Sequence, residues 1–188
     1  MKAMNELKHY VEKDLTRVLL DEPAIKKRVS ELGGQISRDY EGKDMVAICI
    51  LRGCVVFFSD LIREIKIPIE LDFMAVSSYN HSAQSSGNVH IRYDLQEDIK
   101  GKHVLIVEDI IDTGTTLLHL KKLLEARQPA SVKICCLLDK VDRRIAHVDV
   151  DYTGFEIPDE FVVGYGLDYA GKYRNYREIG ILKREIYE

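Results

Sequence analysis

Residues 104–116, VLIVEDIIDTGTT, hold the densest group of side chains able to do chemistry. An apolar run of strand length ends in two carboxylates, Glu108 and Asp109, and open α/β sheets bind ligands at that end of a strand. The chain then turns through Asp112, Thr113, Gly114, Thr115 and Thr116 into a helical pattern. Small and hydroxylic residues at a helix start leave backbone N–H groups free at its positive end. Such a place suits a phosphate monoester, with the hydroxyls of Thr113, Thr115 and Thr116 as further donors. Carboxylates beside that nest would repel phosphate unless they serve another group. A carboxylate accepts hydrogen bonds from two ribose hydroxyls, and magnesium would supply compensating charge. Phosphate, diol and magnesium together describe a ribose phosphate. The plainer alternative has Asp112 or Thr113 capping the helix and Glu108–Asp109 solvated at a strand edge.

These residues need a scaffold that delivers them to one edge. Residues 45–51, 69–76, 103–109, 131–138 and 160–165 are apolar runs of strand length, and 89–93 is a short alternating stretch. Between them lie helical patterns. Asp21-Glu22-Pro23 is a helix start, and Ile25, Val29, Leu32, Ile36 and Tyr40 then mark one face at steps of three and four. Gly33-Gly34 weakens that helix. Residues 54–65 and 115–127 read as two more helices. Strand runs apolar on both faces, separated by helices, predict a doubly wound parallel sheet, an α/β fold covered on each side. With 188 residues and no linker or repeat, residues 1–188 read as one domain. The polar stretch 77–87, SSYNHSAQSSG, breaks the rhythm and reads equally as a lid or as a plain surface excursion.

Composition narrows the partners. A net charge of −4 argues against nucleic acid. No apolar run reaches the roughly 18–20 residues that span a bilayer, and residues 1–10 lack the apolar core of a signal peptide. The expected place is the cytoplasm. Cys49, Cys54, Cys135 and Cys136 sit in apolar runs without zinc-binding or CxxC spacing, and read as small buried hydrophobes kept reduced.

VLIVEDIIDTGTTL resembles the signature of type I phosphoribosyltransferases, which bind phosphoribosyl pyrophosphate (PRPP) with a strand, an acidic pair and a phosphate loop. Three further stretches resemble the hypoxanthine-guanine branch in its bacterial form. ILRG (50–53) resembles its pyrophosphate loop, SSY (77–79) the start of its mobile lid, and GFEIPDEFVVGYGLDYAGKYRN (154–175) its purine-binding end. Matching pieces run in order from residue 25 to 182. The resemblance also implies a small hood formed by the chain ends.

It implies roles residue by residue. Asp112 would be the general base. Glu108 and Asp109 would hold the ribose hydroxyls and, with Asp168, stand at magnesium. Thr113, Gly114, Thr115 and Thr116 would bind the 5′-phosphate. Lys140 would donate to O6 of a 6-oxopurine and disfavour adenine, whose amine is itself a donor. Phe161 would stack on the base and the Val162 backbone would read its edge. Arg52, Gly53, Ser78, Tyr79 and Arg174 would hold pyrophosphate, arginine by its two-pronged fork. The implied reaction carries the phosphoribosyl group from PRPP to N9 of hypoxanthine or guanine, giving IMP or GMP and pyrophosphate, in a homodimer or homotetramer.

Three departures stand out: Arg52 where relatives often have lysine, Cys54 in place of alanine, and Ala170-Gly171 where Asn and an acidic residue are common. Three other readings exist. VLIVED and CCLLD resemble strands of receiver domains, but about a hundred residues precede the acidic pair and no Lys-Pro follows Asp139. Relatives acting on adenine, uracil or orotate share the loop, and Lys140 with Phe161-Val162 argues against them. A pyrimidine-operon regulator uses this fold to bind RNA, and the acidic charge and Asp112 weigh against it.

Overall fold

In the computed structural model, which describes residues 2–78 and 89–188, helix α1 (Lys2–Glu12) leads into strand β1 (Leu15–Leu20) and helix α2 (Glu22–Asp39). Strand β2 (Met45–Leu51), helix α3 (Val55–Glu64), strands β3 (Glu70–Ser78), β4 (Val89–Tyr93) and β5 (His103–Ile111) follow. Then come helix α4 (Thr115–Glu125), strand β6 (Ser131–Asp139), a single 3-10 turn (Val141–Arg143) and strands β7 (Tyr152–Glu156), β8 (Val162–Val163) and β9 (Ile179–Leu182), with helix α5 (Arg184–Tyr187) last.

Six strands form the central sheet in the order β4-β3-β2-β5-β6-β7. All neighbours are parallel except β3 and β4. Side chains alternate across a strand, and here the alternation divides the core in two. Ala47, Cys49, Leu105, Val107, Cys135 and Leu137 join the cluster under α2 and α3. Their neighbours Val46, Ile48, Val104, Ile106, Ile134 and Cys136 join the cluster under α4. Both faces are dry along residues 45–50, 104–107 and 134–138, so those stretches of β2, β5 and β6 are apolar at every position.

Helix α2 starts where Asp21 Oδ1 accepts from the Ala24 N–H at 2.8 Å, with Pro23 in its first turn. The glycine pair does not interrupt it. A Cβ at Gly33 would stand 2.7 Å from the carbonyl carbon of Glu64, so α2 and α3 cross there with no room for a side chain.

The chain ends build a separate antiparallel sheet, β1-β9-β8, over one edge of the strand tips. The expected long strand 160–165 is one place where the structure differs. Only Val162 and Val163 are extended, and they pair with β9 rather than with the parallel sheet. Gly164, Tyr165 and Gly166 all have positive φ (100°, 49° and 103°), which no strand tolerates, so the chain turns back at that point.

Candidate active site

The acidic pair sits at the C-terminal end of β5, and strand alternation sends its two carboxylates to opposite faces. Glu108 follows the Val104–Ile106 face and lines a cavity of about 370 Å³ with Ile50, Val76, Asp112, Thr113, Gly114 and Thr116. Asp109 lines a second cavity, of about 390 Å³, with Arg52, Gly53, Phe161, Val162, Asp168 and Arg174. Ile110 belongs to both walls.

The first cavity ends in the start of α4. Gly114 (φ 77°) turns the chain into the helix, and the Thr113 carbonyl accepts from the Ile145 and Ala146 N–H groups, each at 3.0 Å. The loop is thereby fixed from behind, with Thr113, Gly114 and Thr116 on the cavity wall. Thr115 is the first helical residue and is not among the lining residues. Asp112 lines the same cavity. Its Oδ1 lies 2.8 Å from Arg143 Nε, an ion pair off the line of a hydrogen bond.

The second cavity is closed by backbone contact. A Cβ at Gly53 would overlap Asp109 Oδ2, and one at Gly166 would overlap the Gly53 carbonyl. Two glycines thus let three segments distant in sequence meet: the β2–α3 loop, the tip of β5 and the turn after β8. The Leu51–Arg52 peptide is cis, and Arg52 is exposed. Beneath them Cys54 is buried and its thiol donates to the Val107 carbonyl at 3.1 Å. Burial raises that thiol well above its usual range, so it is an inert packing group.

Across the cavity, Arg174 pairs with Asp168 at 2.5 Å and donates to the Gly166 carbonyl at 2.7 Å. Asp168 also accepts from the Gly171 N–H at 2.9 Å, so the turn and the ion pair share one carboxylate. Phe161 is 36 % exposed, stacked on Tyr187 at 4.8 Å and edge-on to Tyr169 at 5.7 Å. Its ring is held by the C-terminal helix and still opens to the cavity.

Electrostatics at the β5 tip are unusual for carboxylates. Burial pushes Asp109 up to about 6, although the Ile110 N–H and the charge of Arg174 pull it down. Glu108 is raised well above the usual carboxylate range as well, by burial first and then by the neighbouring Asp109 charge. Its Oε2 is closed to solvent with no hydrogen-bond partner. A buried carboxyl without a donor is costly to leave so, and a hydroxyl-bearing ligand in the first cavity would satisfy it.

Lys140 and the lid residues are placed differently. Lys140 is buried, lines neither cavity, and has its Nζ 3.5 Å from Asp159 Oδ1. Ser78 ends β3 opposite Val89, while Tyr79 and the rest of the expected lid, 79–88, lie outside the described residues. Among the described residues no three His, Cys, Asp or Glu side chains converge as a metal cage. Glu108, Asp109 and Asp168 form none by themselves. Their hard oxygen donors still fit magnesium, which keeps several waters and takes one or two carboxylates plus substrate phosphates.

Sequence reasoning passed over Ile110, Arg143 and Asp159. Ile110 looked like ordinary core, and only its place at the tip of β5, between cavities that other segments complete, makes it a wall. Arg143 carried no motif, and Asp159 lay inside the 154–175 stretch without a role of its own.

The family model for the phosphoribosyl transferase domain matches residues 16–170. The hypoxanthine-guanine phosphoribosyltransferase of Streptococcus pneumoniae is 49 % identical over 177 residues, covering 94 % of this chain and 98 % of that protein. The protein of the same name from Bacillus subtilis is 48 % identical over 175 residues, covering 93 % and 97 %. Among solved structures, a hypoxanthine phosphoribosyltransferase from Staphylococcus aureus superposes with a TM-score of 0.92 at 49 % identity, covering 95 % of this chain and 97 % of that one. A mutant hypoxanthine phosphoribosyltransferase from Trypanosoma cruzi, in a ternary substrates complex, gives 0.89 at 39 %, covering 94 % and 100 %.

Proposed function

The chain belongs to the phosphoribosyltransferase family, and we propose that it is a purine salvage transferase that moves the phosphoribosyl group of PRPP to N9 of hypoxanthine and guanine. The observation that carries this reading is the division of the β5 tip. One carboxylate faces a cavity ending in a helix N-terminus, and the next faces a cavity lined by an aromatic ring and two arginines. PRPP has a 5′-phosphate for the first, a pyrophosphate for the second, and a ribose to span the strand between.

The residue roles follow. Thr113, Gly114 and Thr116 hold the 5′-phosphate through N–H and hydroxyl donors, and Thr115 helps through its N–H at the first helical position. Glu108 and Asp109 accept from the ribose hydroxyls, each from its own side. The base lies between Ile110 and Phe161, with the Val162 backbone at its edge. Arg174, Arg52 and the Gly53 backbone hold the pyrophosphate, where the arginine fork matches two phosphate oxygens. Ser78 and Tyr79 complete this side. Asp112 takes the proton from N7 as N9 attacks C1, and a base so placed contributes about 10²–10⁴-fold. As the C1–pyrophosphate bond breaks, positive charge gathers on the ribose beside the acidic pair. Magnesium bound at Asp168 and the acidic pair would supply charge for the departing pyrophosphate.

The protein is further read as one domain of residues 1–188 acting in the cytoplasm as a homodimer or homotetramer. The stretch 77–87 serves as a lid that excludes water, the competing nucleophile. Among the described residues no helix is long and apolar enough to cross a membrane.

The test is nucleotide formation with magnesium and PRPP, offering hypoxanthine, guanine, xanthine, adenine and uracil separately. Magnesium-dependent product with hypoxanthine or guanine, and little with adenine or uracil, is the expected result. PRPP binding without product from any base would leave the phosphate site standing and remove the enzyme.

A further inference from the structure

The two charges that must meet the base are both engaged with something else in the free protein. Asp112, the proposed base, has Arg143 Nε at 2.8 Å. Lys140, the proposed O6 donor, has Asp159 Oδ1 at 3.5 Å. These are not separate pairs, because Arg143 also reaches Asp159, with its NH1 3.3 Å from Oδ1 and 3.4 Å from Oδ2. Four charges of alternating sign therefore run Lys140, Asp159, Arg143, Asp112. Their two ends are the groups the reaction needs.

The middle pair is free to rearrange. Arg143 ends the single 3-10 turn Val141–Arg143, and its side chain is 45 % exposed. That of Asp159 is 50 % exposed, on the loop before β8. Neither contributes to the buried core. Lys140, by contrast, is buried, and its backbone N–H is tied to the Ile111 carbonyl at 3.0 Å, so only its ammonium can travel.

We propose that Arg143 and Asp159 are positioning residues that release Lys140 and Asp112 together when a 6-oxopurine arrives. The purine O6 takes the Lys140 ammonium from Asp159. Asp159 then offers both oxygens to Arg143, a geometry the guanidinium fork favours. Arg143 leaves Asp112, and Asp112 accepts the N7–H. Every cation keeps an acceptor throughout, so the exchange strands no charge. A purine lacking O6 cannot draw Lys140 away, and Arg143 stays on Asp112. The selection for O6 thus acts twice, at binding and at the availability of the base. This rests on the transferase reading above.

Steady-state kinetics of Asp159→Asn, Arg143→Ala and the double variant test it, with hypoxanthine and PRPP each varied. Asp159→Asn removes the alternative partner of Arg143, and kcat/KM for hypoxanthine is expected to fall about threefold to fivefold, the scale of one partly exposed ion pair. Arg143→Ala uncovers Asp112 and is expected to raise kcat/KM for hypoxanthine by up to a similar factor. The double variant should show no loss relative to Arg143→Ala alone, because the loss in Asp159→Asn runs through Arg143, and freeing Lys140 from Asp159 can only favour the purine. KM for PRPP should not move in any of the three. An equal loss from Asp159→Asn with and without Arg143 would overturn the proposal, as would wild-type kcat/KM in Asp159→Asn. Thermal melts within about 2 °C of one another show that folding is not what changed, since both side chains lie at the surface. No nucleotide from the unsubstituted protein would instead remove the transferase reading itself.

Discussion

The two cavities at the tip of β5 differ in how the chain builds them. The phosphate side is local. Its polar residues Asp112, Thr113, Gly114 and Thr116 come from one turn between a strand and the helix that follows it, Glu108 lies only four residues before Asp112, and β2 and β3 add only the apolar Ile50, Leu51 and Val76. The pyrophosphate and base side is assembled from afar. Arg52 and Gly53, Asp109, Phe161 and Val162, and Asp168 and Arg174 come from four separate segments. A local turn is shaped mostly by its own residues. A composite wall depends on close backbone approach, here the stacking of Gly166 on Gly53 and of Gly53 on Asp109. The local side should therefore lose function through chemistry and the composite side through geometry.

Asp112→Asn tests the local side and should have the largest effect. The amide keeps the size of the carboxyl and leaves the Thr113–Thr116 loop alone, but it cannot take the N7 proton. A fall in kcat of about 10²–10⁴-fold with PRPP affinity retained is expected, read by steady-state kinetics and calorimetric titration. Wild-type turnover would sink the assignment of Asp112.

Gly53→Ala tests the composite side. Its Cβ would overlap Asp109 Oδ2, so the β2–α3 loop or the acidic tip must move. Overpacking of this kind costs about 1–3 kcal/mol, and displacement near 1 Å lowers rates about 100-fold. Gly166→Ala should act alike through the Gly53 carbonyl. Both variants should still bind inorganic phosphate, which asks only for the local cradle, with a Kd within about twofold of the parent. Loss of that binding would mean that the two cavities are one cooperative unit.

The two carboxylates at the boundary share one cost. Burial raises Asp109 to about 6 from an ordinary value near 4, and raises Glu108 as well. The sign follows from linkage. A raised carboxyl contributes its stability below its unfolded pKa, and that contribution is lost as pH climbs through the folded pKa. For Asp109 the window is about pH 4 to 6. Asp109→Asn has no charge to bury, so it should be more stable than the parent at pH 8, with the gain fading toward pH 4. The gain is up to about 3 kcal/mol, reduced by the water that reaches the carboxyl from the cavity. Urea unfolding of the ligand-free proteins at pH 4, 6 and 8 measures it. A variant less stable than the parent at pH 8 would mean that the carboxylate is already paired in the free protein.

The same division explains what was legible beforehand. The parallel core showed in β2, β5 and β6 because a strand buried on both faces leaves an unbroken apolar run. The phosphate loop showed because its residues are contiguous. The hood strands β1 and β9 showed in no run of their own, since they are short and a third of β1 is solvated, Thr16 and Arg17 standing exposed. Residues 160–165 looked like a strand by apolarity, and the left-handed turn at 164–166 overrode it. Ile110, Arg143 and Asp159 were illegible for one physical reason: each matters through a neighbour supplied by another segment. Lys140 was found by resemblance, yet its tie to Asp159 was not, because an exposed aspartate after a proline reads as a turn.

The smallest expected effect lies in the turn that aims Asp168. Ala170 (φ 51°) and Gly171 (φ 79°) form a two-residue turn closed by Lys172 N–H to Tyr169 O at 3.0 Å and Tyr169 N–H to Lys172 O at 3.3 Å. Both central residues are left-handed, the conformation of a type I′ turn, which Asn and Gly adopt readily and alanine does not. Ala170 is exposed, so a polar side chain has room there. Ala170→Asn should therefore stabilise the protein by about 0.5–1 kcal/mol, which at this chain length is a rise of about 1–4 °C in Tm. The turn already holds Asp168 through the Gly171 N–H, and Asp168 already holds Arg174, so kcat should stay within about twofold of the parent. A Tm gain with kcat unmoved makes the composite wall set by its glycine contacts rather than by this turn. A change in kcat larger than the change in Tm would instead make the turn a hinge of the pyrophosphate side, and the contrast between a local and a composite half would have to be redrawn around it.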